Sequence, residues 1–71
     1  MIIYTGKETV SDNSDRVFEA LDEGKRISVT ITKEAIEDYG LMAGKQKGID
    51  KYNRSESLLD GNILVTTKDF Q

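Results

Sequence analysis

Hydrophobic and polar residues alternate with a period of two in two neighbouring segments of the chain. Ile27, Val29 and Ile31 alternate with hydroxyl-bearing side chains, which is typical of a half-buried strand rich in β-branched residues. Segment 16–21 alternates in a similar way and precedes a short loop that contains Gly24. Because Gly readily adopts the positive φ that a three-residue hairpin loop needs, the pattern predicts an antiparallel hairpin.

A helix is predicted directly after the hairpin. The Thr32 hydroxyl is suited to accept a hydrogen bond from the first helical turn, and Glu34 places negative charge near the positive end of the helix dipole. Gly40 is a natural end for the helix. Its apolar side chains, Ala35, Ile36 and Tyr39, lie within about one third of the helix circumference. We therefore expect the helix to dock through a narrow apolar stripe.

The flanking segments have weaker patterns. Ile2–Thr5 predicts a short first strand, and the polar segment 7–15 predicts a loop. Gly44 and Gly48 disfavour a helix by about 1 kcal/mol each, so we place the start of the second helix near Gly48. That helix would carry Ile49, Tyr52 and Leu59 on one side, and Lys47, Lys51 and Arg54 on the other.

The end of the chain predicts one more strand. Asp60–Asn62 is a turn signal, and Ile63–Thr67 is rich in β-branched residues. The resulting order, β-β-β-α-α-β, indicates an α+β fold in which two helices pack on one face of a small antiparallel sheet. We expect a single domain over residues 1–71, with the first strand and polar loop in 1–15 and the remaining elements in 16–70.

The composition excludes several kinds of chemistry. The chain of 71 residues has no Cys and no His, so it lacks a thiol nucleophile, a disulfide and the commonest metal ligand. A calcium loop that began at Asp12 would need Gly where Val17 stands. We therefore expect no catalytic residue, no metal and no cofactor. No signal peptide or membrane span is recognisable at the start of the chain, which favours a cytoplasmic protein without a membrane partner.

The net charge of −3 is unevenly distributed along the chain. Segment 41–55 carries a net charge of +3, which leaves −6 for the rest of the chain. Two charged sets are therefore the candidate partner-binding residues. The basic set is Lys47, Lys51 and Arg54, and the acidic set is Glu34, Glu37 and Asp38.

Both sets also have a simpler interpretation as solvated helix surface. The basic set would suit an acidic protein or, with less support, nucleic acid, because spaced cations release counterions from a phosphate backbone. Tyr52 could stack on a base, but its position beside Ile49 is better explained by the core. Ser28, Thr30 and Thr32 predict a hydroxyl-lined face that is solvent-exposed or contacts a second chain, so the protein is expected to be a monomer or a homodimer.

Four segments stand out by their order and spacing along the chain: the hairpin Val17–Ile27, the run Ile31–Asp38, the pair Asn53–Arg54 and the closing stretch Gly61–Phe70. Together they resemble a small bacterial family called domain of unknown function 1488. The resemblance implies a compact α+β fold in the bacterial cytoplasm and no assigned activity. Among the positions that match the family, Arg54 is the one candidate for a functional residue. Arg54 could equally pair with an acidic neighbour in the fold.

Two positions depart from the family pattern. Members of the family often have Cys where this chain has Val29, which argues against a thiol role. Their second helix also tends to continue for longer after the Asn-Arg pair than segment 55–59 would allow.

Three functions follow as hypotheses. The first is a non-enzymatic protein-interaction or regulatory module. The second is an inhibitor of the phage or mobile-element type, whose acidic residues engage the basic groove of a nucleic-acid-handling complex. The third is weak nucleic-acid binding through Lys47, Lys51 and Arg54. The acidic residues considered for the inhibitor are Asp12, Asp15, Asp22, Glu23, Glu34, Glu37 and Asp38.

Overall fold

The helices and strands occur in the predicted order. The computed structural model describes residues 2–54 and 61–71. The elements are β1 (Ile2–Val10), β2 (Arg16–Asp22), β3 (Lys25–Ile31), α1 (Lys33–Tyr39), α2 (Leu41–Asn53), β4 (Asn62–Val65) and a 3₁₀-helix (Thr67–Phe70). The predicted α+β fold with β-β-β-α-α-β order is therefore confirmed.

The sheet is mixed rather than purely antiparallel. Its strand order is β1-β2-β3-β4, in which β1 and β2 pair antiparallel, as do β2 and β3. The last pair is parallel, with Val29 opposite Ile63 and Ile31 opposite Val65. Parallel neighbours need a long crossover connection, and the two helices between β3 and β4 supply it. The prediction of an antiparallel sheet is thus wrong for β4.

The hairpin has a tighter turn than the sequence predicted. Asp22 pairs with Lys25, so that Glu23 and Gly24 alone form the loop. Both loop residues have positive φ, 51° for Glu23 and 85° for Gly24. This is the pattern of a type I′ turn, whose twist matches that of the strands, and not of the three-residue loop expected from the sequence.

The first strand is longer than the sequence predicted. It continues to Val10, because Glu8 pairs with Phe18 and Val10 pairs with Arg16 of β2. The register shifts between Tyr4 and Glu8, which marks a bulge. The predicted polar loop is accordingly shorter, since its first part forms a strand whose side chains remain exposed.

The first helix was predicted correctly, and the second begins earlier than predicted. The Thr32 hydroxyl accepts a hydrogen bond from the Ala35 N–H (3.3 Å), and the Gly40 N–H donates to the Ile36 carbonyl (2.9 Å). The second helix starts directly at Leu41 and runs through both internal glycines. The predicted continuation to Leu59 lies outside the described residues.

The two glycines lie where α2 packs on β3. A Cβ at Gly44 would stand 2.8 Å from Cγ2 of Ile31, and one at Gly48 would stand 2.7 Å from Cγ1 of Val29. Their absent side chains thus allow the helix backbone to approach the sheet closely. The predicted start of α2 near Gly48 is therefore wrong, because this close packing outweighs the low helix propensity of Gly.

The core lies between the sheet and the helices, and in the described part of the chain its buried side chains are all apolar. They are Ile2, Phe18, Ala20, Ile27, Val29, Ile31, Ala35, Ile63 and Val65. Ile49 and Tyr52 pack against them, as predicted. The helices cover one face of the sheet and leave the other face without a covering layer in the described ranges.

Candidate interaction surfaces

Lys51 of the basic set is bound within the fold. Its Nζ donates to the Leu64 carbonyl (2.6 Å) and to both carboxylate oxygens of Asp69 (3.0 and 3.1 Å). Only 14% of the Lys51 side chain is exposed. These contacts tie α2 to β4 and to the 3₁₀-helix, so the Lys51 ammonium is not presented as an exposed charge.

The 3₁₀-helix replaces the end of the predicted last strand. The Thr66 hydroxyl accepts from the Lys68 N–H, and a carboxylate oxygen of Asp69 accepts from the Thr66 N–H (2.8 Å). This capping box turns the chain out of the strand after Val65. Partial burial raises the pKa of Asp69, but the Thr66 N–H and Lys51 outweigh it, so that the net pKa lies below its usual value.

The other two members of the basic set lie in different environments. The Lys47 ammonium lies 5.3 Å from the centroid of the Phe70 ring, a cation–π contact. Phe70 in turn stacks on Tyr39, with 4.3 Å between ring centroids. Arg54 is exposed at the end of α2, where its backbone N–H donates to the Asp50 carbonyl. The three residues therefore do not form one uniform exposed basic face.

The acidic set lies on the outside of α1. Glu34, Glu37 and Asp38 are all exposed, and none of them forms an ion pair with another described residue. Two apolar side chains are exposed at the junction of α1 and α2: 42% of Tyr39 and 80% of Met42. We call these five residues the α1 surface.

The predicted hydroxyl face is smaller than expected. Ser28 and Thr30 lie on the uncovered face of the sheet, but the Thr32 hydroxyl caps α1 instead. On the same face, Arg26 and Glu19 form an ion pair (3.4 Å).

The remaining titratable groups with shifted pKa values stabilise the fold. Burial raises the pKa of Tyr4 to about 12, and its hydroxyl donates to the Lys45 carbonyl (2.7 Å). The Tyr52 hydroxyl donates to Asp22 (2.6 Å), which raises the pKa of Tyr52 and lowers that of Asp22. Tyr52 therefore joins the second helix to the hairpin rather than standing free to stack on a base.

Two shallow depressions lie on the surface of the described residues. The larger, of about 260 Å³, is lined by Val10, Ser14, Arg16, Lys33, Ile36 and Glu37. The other, of about 200 Å³, lies on the uncovered face of the sheet and includes Thr9, Val17 and Ser28. Within residues 2–54 and 61–71, no group of three or more acidic side chains is placed to hold a metal ion. In the same ranges, no helix has the length and apolar character needed to cross a membrane.

Sequence reasoning missed the contacts that bind the C-terminal segment to the helices. Lys51 and Asp69 are far apart in the sequence, and no local pattern links them. The available signal was the spacing of Thr66 and Asp69, which fits a capping box. That motif would have indicated a helical turn after the last strand and a carboxylate held in a fixed position.

No family model matches this chain, and neither a curated protein nor a solved structure is similar enough to be matched with it. The resemblance to domain of unknown function 1488 therefore stays a prediction.

Proposed function

We propose that this protein is a non-enzymatic protein-interaction module whose α1 surface binds a basic partner protein. The observation that supports this function is the α1 surface itself, where Tyr39 and Met42 are exposed beside carboxylates that form no ion pair with another described residue. Aromatic and Met side chains are enriched in protein interfaces, because they bury large apolar areas. Carboxylates around them favour a positively charged partner and accelerate the encounter with it.

The titratable groups give the proposal further support. The described groups with shifted pKa values are Tyr4, Asp22, Tyr52 and Asp69, and each has a structural partner within the chain. A shifted pKa at these positions is thus accounted for by hydrogen bonds that hold elements together. None of these four groups requires a catalytic role to explain its environment.

Two other functions have different support. An acidic inhibitor that occupies the basic groove of a nucleic-acid-handling complex is favoured by the same exposed carboxylates. Nucleic-acid binding through the basic set is less favoured, because Lys51 is engaged by Asp69 and the Leu64 carbonyl. A bacterial cytoplasmic location belongs to the proposal through the family resemblance.

The test compares two variants with the same change in net charge. Glu37→Lys/Asp38→Lys reverses the charge of the α1 surface and keeps α1 stable, since cations are favourable in the last turn of a helix. Asp12→Lys/Glu23→Lys reverses two exposed carboxylates in loops elsewhere. A third variant, Met42→Ser, removes the exposed apolar side chain. Each tagged protein is used to capture partners from nuclease-treated and from untreated lysate of the native organism, with washes at low and high salt.

We expect a discrete protein that the wild type and the loop variant retain at low salt and release at high salt. The α1 charge variant should lose this protein, and Met42→Ser should retain less of it. Equal capture by the α1 and loop variants would contradict the assigned surface. Recovery that requires intact nucleic acid would overturn the function itself, and a partner that handles nucleic acid would support the inhibitor.

A further inference from the structure

The two edges of the sheet differ in how their backbone groups are engaged. Along a strand, the N–H and C=O groups of successive residues point to opposite sides. The Val65 carbonyl accepts from the Thr32 N–H, which follows β3, so the Leu64 carbonyl points to the outer edge of β4. There it accepts a hydrogen bond from Lys51 (2.6 Å). A side chain of the same molecule thus occupies this edge.

The pairing of β1 with β2 shows which groups lie on the outer edge of β1. Asp22 and Lys25 close the two-residue loop as a hydrogen-bonded pair. Counting back from Asp22, every second residue of β2 therefore directs its backbone N–H and C=O groups toward β3. The intervening residues point toward β1, and among them Leu21 pairs with Ile3 and Val17 pairs with Thr9. Ile3 and Thr9 are therefore bonded inward, to β2.

Their neighbours along β1 consequently direct their N–H and C=O groups outward. These neighbours are Ile2, Tyr4, Glu8 and Val10. None of their backbone groups forms a turn, loop or side-chain hydrogen bond with another described residue. Within the part of the chain that the structure describes, the outward groups form a free strand edge, and the partner that this geometry accepts is another extended strand.

The outward residues are arranged symmetrically about Gly6, two on each side at equal sequence distances. We infer that β1 pairs antiparallel with β1 of a second copy of this chain, about a two-fold axis at Gly6. Tyr4 then lies opposite Glu8 of the second copy, and Ile2 lies opposite Val10 of the second copy. A two-fold interface of this kind is self-complementary, and it extends the sheet continuously through both subunits.

The side chains along β1 suit this register. Ile3 and Val10 are 61% and 63% exposed in the single chain. In the dimer Val10 meets Ile2 of the second copy, and Ile3 meets Thr9 of the second copy. Cross-strand pairs of β-branched side chains therefore form on both faces of the sheet.

The segment nearest to the two-fold axis is irregular, and Gly6 there has a φ of 94°. The register shift between Tyr4 and Glu8 bends β1 near the axis, so the pairing depends on the regular segments on either side of Gly6.

The decisive variant is Glu8→Pro, with Glu8→Ala as its matched control. Both remove the Glu8 side chain and its ion pair with Arg16. Only Pro also removes the outward N–H, while the inward bonds of Thr9 to β2 are retained, and edge strands tolerate Pro at such positions. Sedimentation equilibrium over a concentration series measures dimerisation, and circular dichroism verifies the fold of each variant.

We expect reversible dimerisation of the wild type and of Glu8→Ala. Dimerisation of Glu8→Pro should be about thirtyfold weaker, because the substitution is present in both subunits and removes one intersubunit hydrogen bond at each of two symmetry-related positions. A wild type that remains monomeric at millimolar concentration would overturn the inference, as would a folded Glu8→Pro variant that dimerises like Glu8→Ala.

Hydrogen exchange of the wild type locates the interface independently of any variant. The amides of Tyr4, Glu8 and Val10 should become protected as the concentration rises, whereas those of Ile3 and Thr9 should be protected at every concentration. A dimer without this contrast would use another surface, and the assignment to β1 would be wrong. Because the α1 surface takes no part in this experiment, its outcome is separate from that of the proposed function.

Discussion

Gly48→Ala tests how closely α2 packs against the sheet. The added methyl would stand 2.7 Å from Cγ1 of Val29 and 3.1 Å from the Tyr4 hydroxyl. Val29 is fully buried and cannot move into open space, and the Tyr4 hydroxyl is held by its bond to the Lys45 carbonyl. The methyl group therefore has to be accommodated by a shift of the helix or of the core.

Two opposing terms determine the size of the effect. Ala in place of Gly favours a helix by about 1 kcal/mol, whereas extra volume in a packed core costs about 1–3 kcal/mol. At a separation below 3 Å from a fixed neighbour we expect the second term to dominate. Net of the propensity gain, the free energy of unfolding should fall by up to about 2 kcal/mol, which lowers the Tm of a domain this small by up to about 15 °C.

Urea unfolding followed by circular dichroism measures the change, with two controls. Gln46→Ala and Gln46→Gly compare the same two residue types at an exposed position of α2 and so give the propensity term alone. Val29→Ala, combined with Gly48→Ala, creates space for the new methyl. The double variant should be more stable than the sum of the single effects predicts, by at least about 0.5 kcal/mol.

The close-packing argument would be refuted if Gly48→Ala stabilised the protein as much as the Gln46 comparison indicates. It would also fail if the effects of Gly48→Ala and Val29→Ala were simply additive, since the two side chains would then not compete for space.

Two further predictions follow from local geometry. Glu23→Asn should raise the free energy of unfolding by about 0.5–1 kcal/mol in urea titrations, because Glu23 has a φ of 51° and Asn-Gly favours the type I′ turn; unchanged or lower stability would contradict this. The lowered pKa of Asp69 contributes stability that is present above its unfolded value of about 3.9 and is lost as the pH falls through the folded value. Acid titration of Asp69→Asn should therefore show a smaller loss of stability below about pH 4 than the wild type, and equal losses would exclude this contribution.

The elements that sequence reasoning predicted correctly are those determined by short-range patterns. The alternation of Ile27, Val29 and Ile31 identified β3, and the cap at Thr32 with the stop at Gly40 delimited α1. In each case one local interaction determines the boundary. The apolar composition of the strands was likewise sufficient to indicate the α+β class.

The errors occurred where long-range contacts outweighed local preference. Gly44 and Gly48 disfavour a helix locally, but close contact with Ile31 and Val29 makes them suitable for this interface. The extension of β1 depends on pairing with β2, since its own residues beyond Thr5 are polar and exposed. The parallel direction of β4 likewise depends on the path of the two helices.

Charge spacing along a helix does not distinguish a cation that binds a partner from one that stabilises the fold. Lys47, Lys51 and Arg54 have regular spacing, but what each cation contacts depends on the position of the C-terminal segment. Lys51 reaches Asp69 and the outer edge of β4 because the 3₁₀-helix folds back beside α2. The acidic side chains of α1 form no ion pair with another described residue. Of the two charged sets predicted from the sequence, the proposed binding surface therefore includes the acidic set and not the basic set.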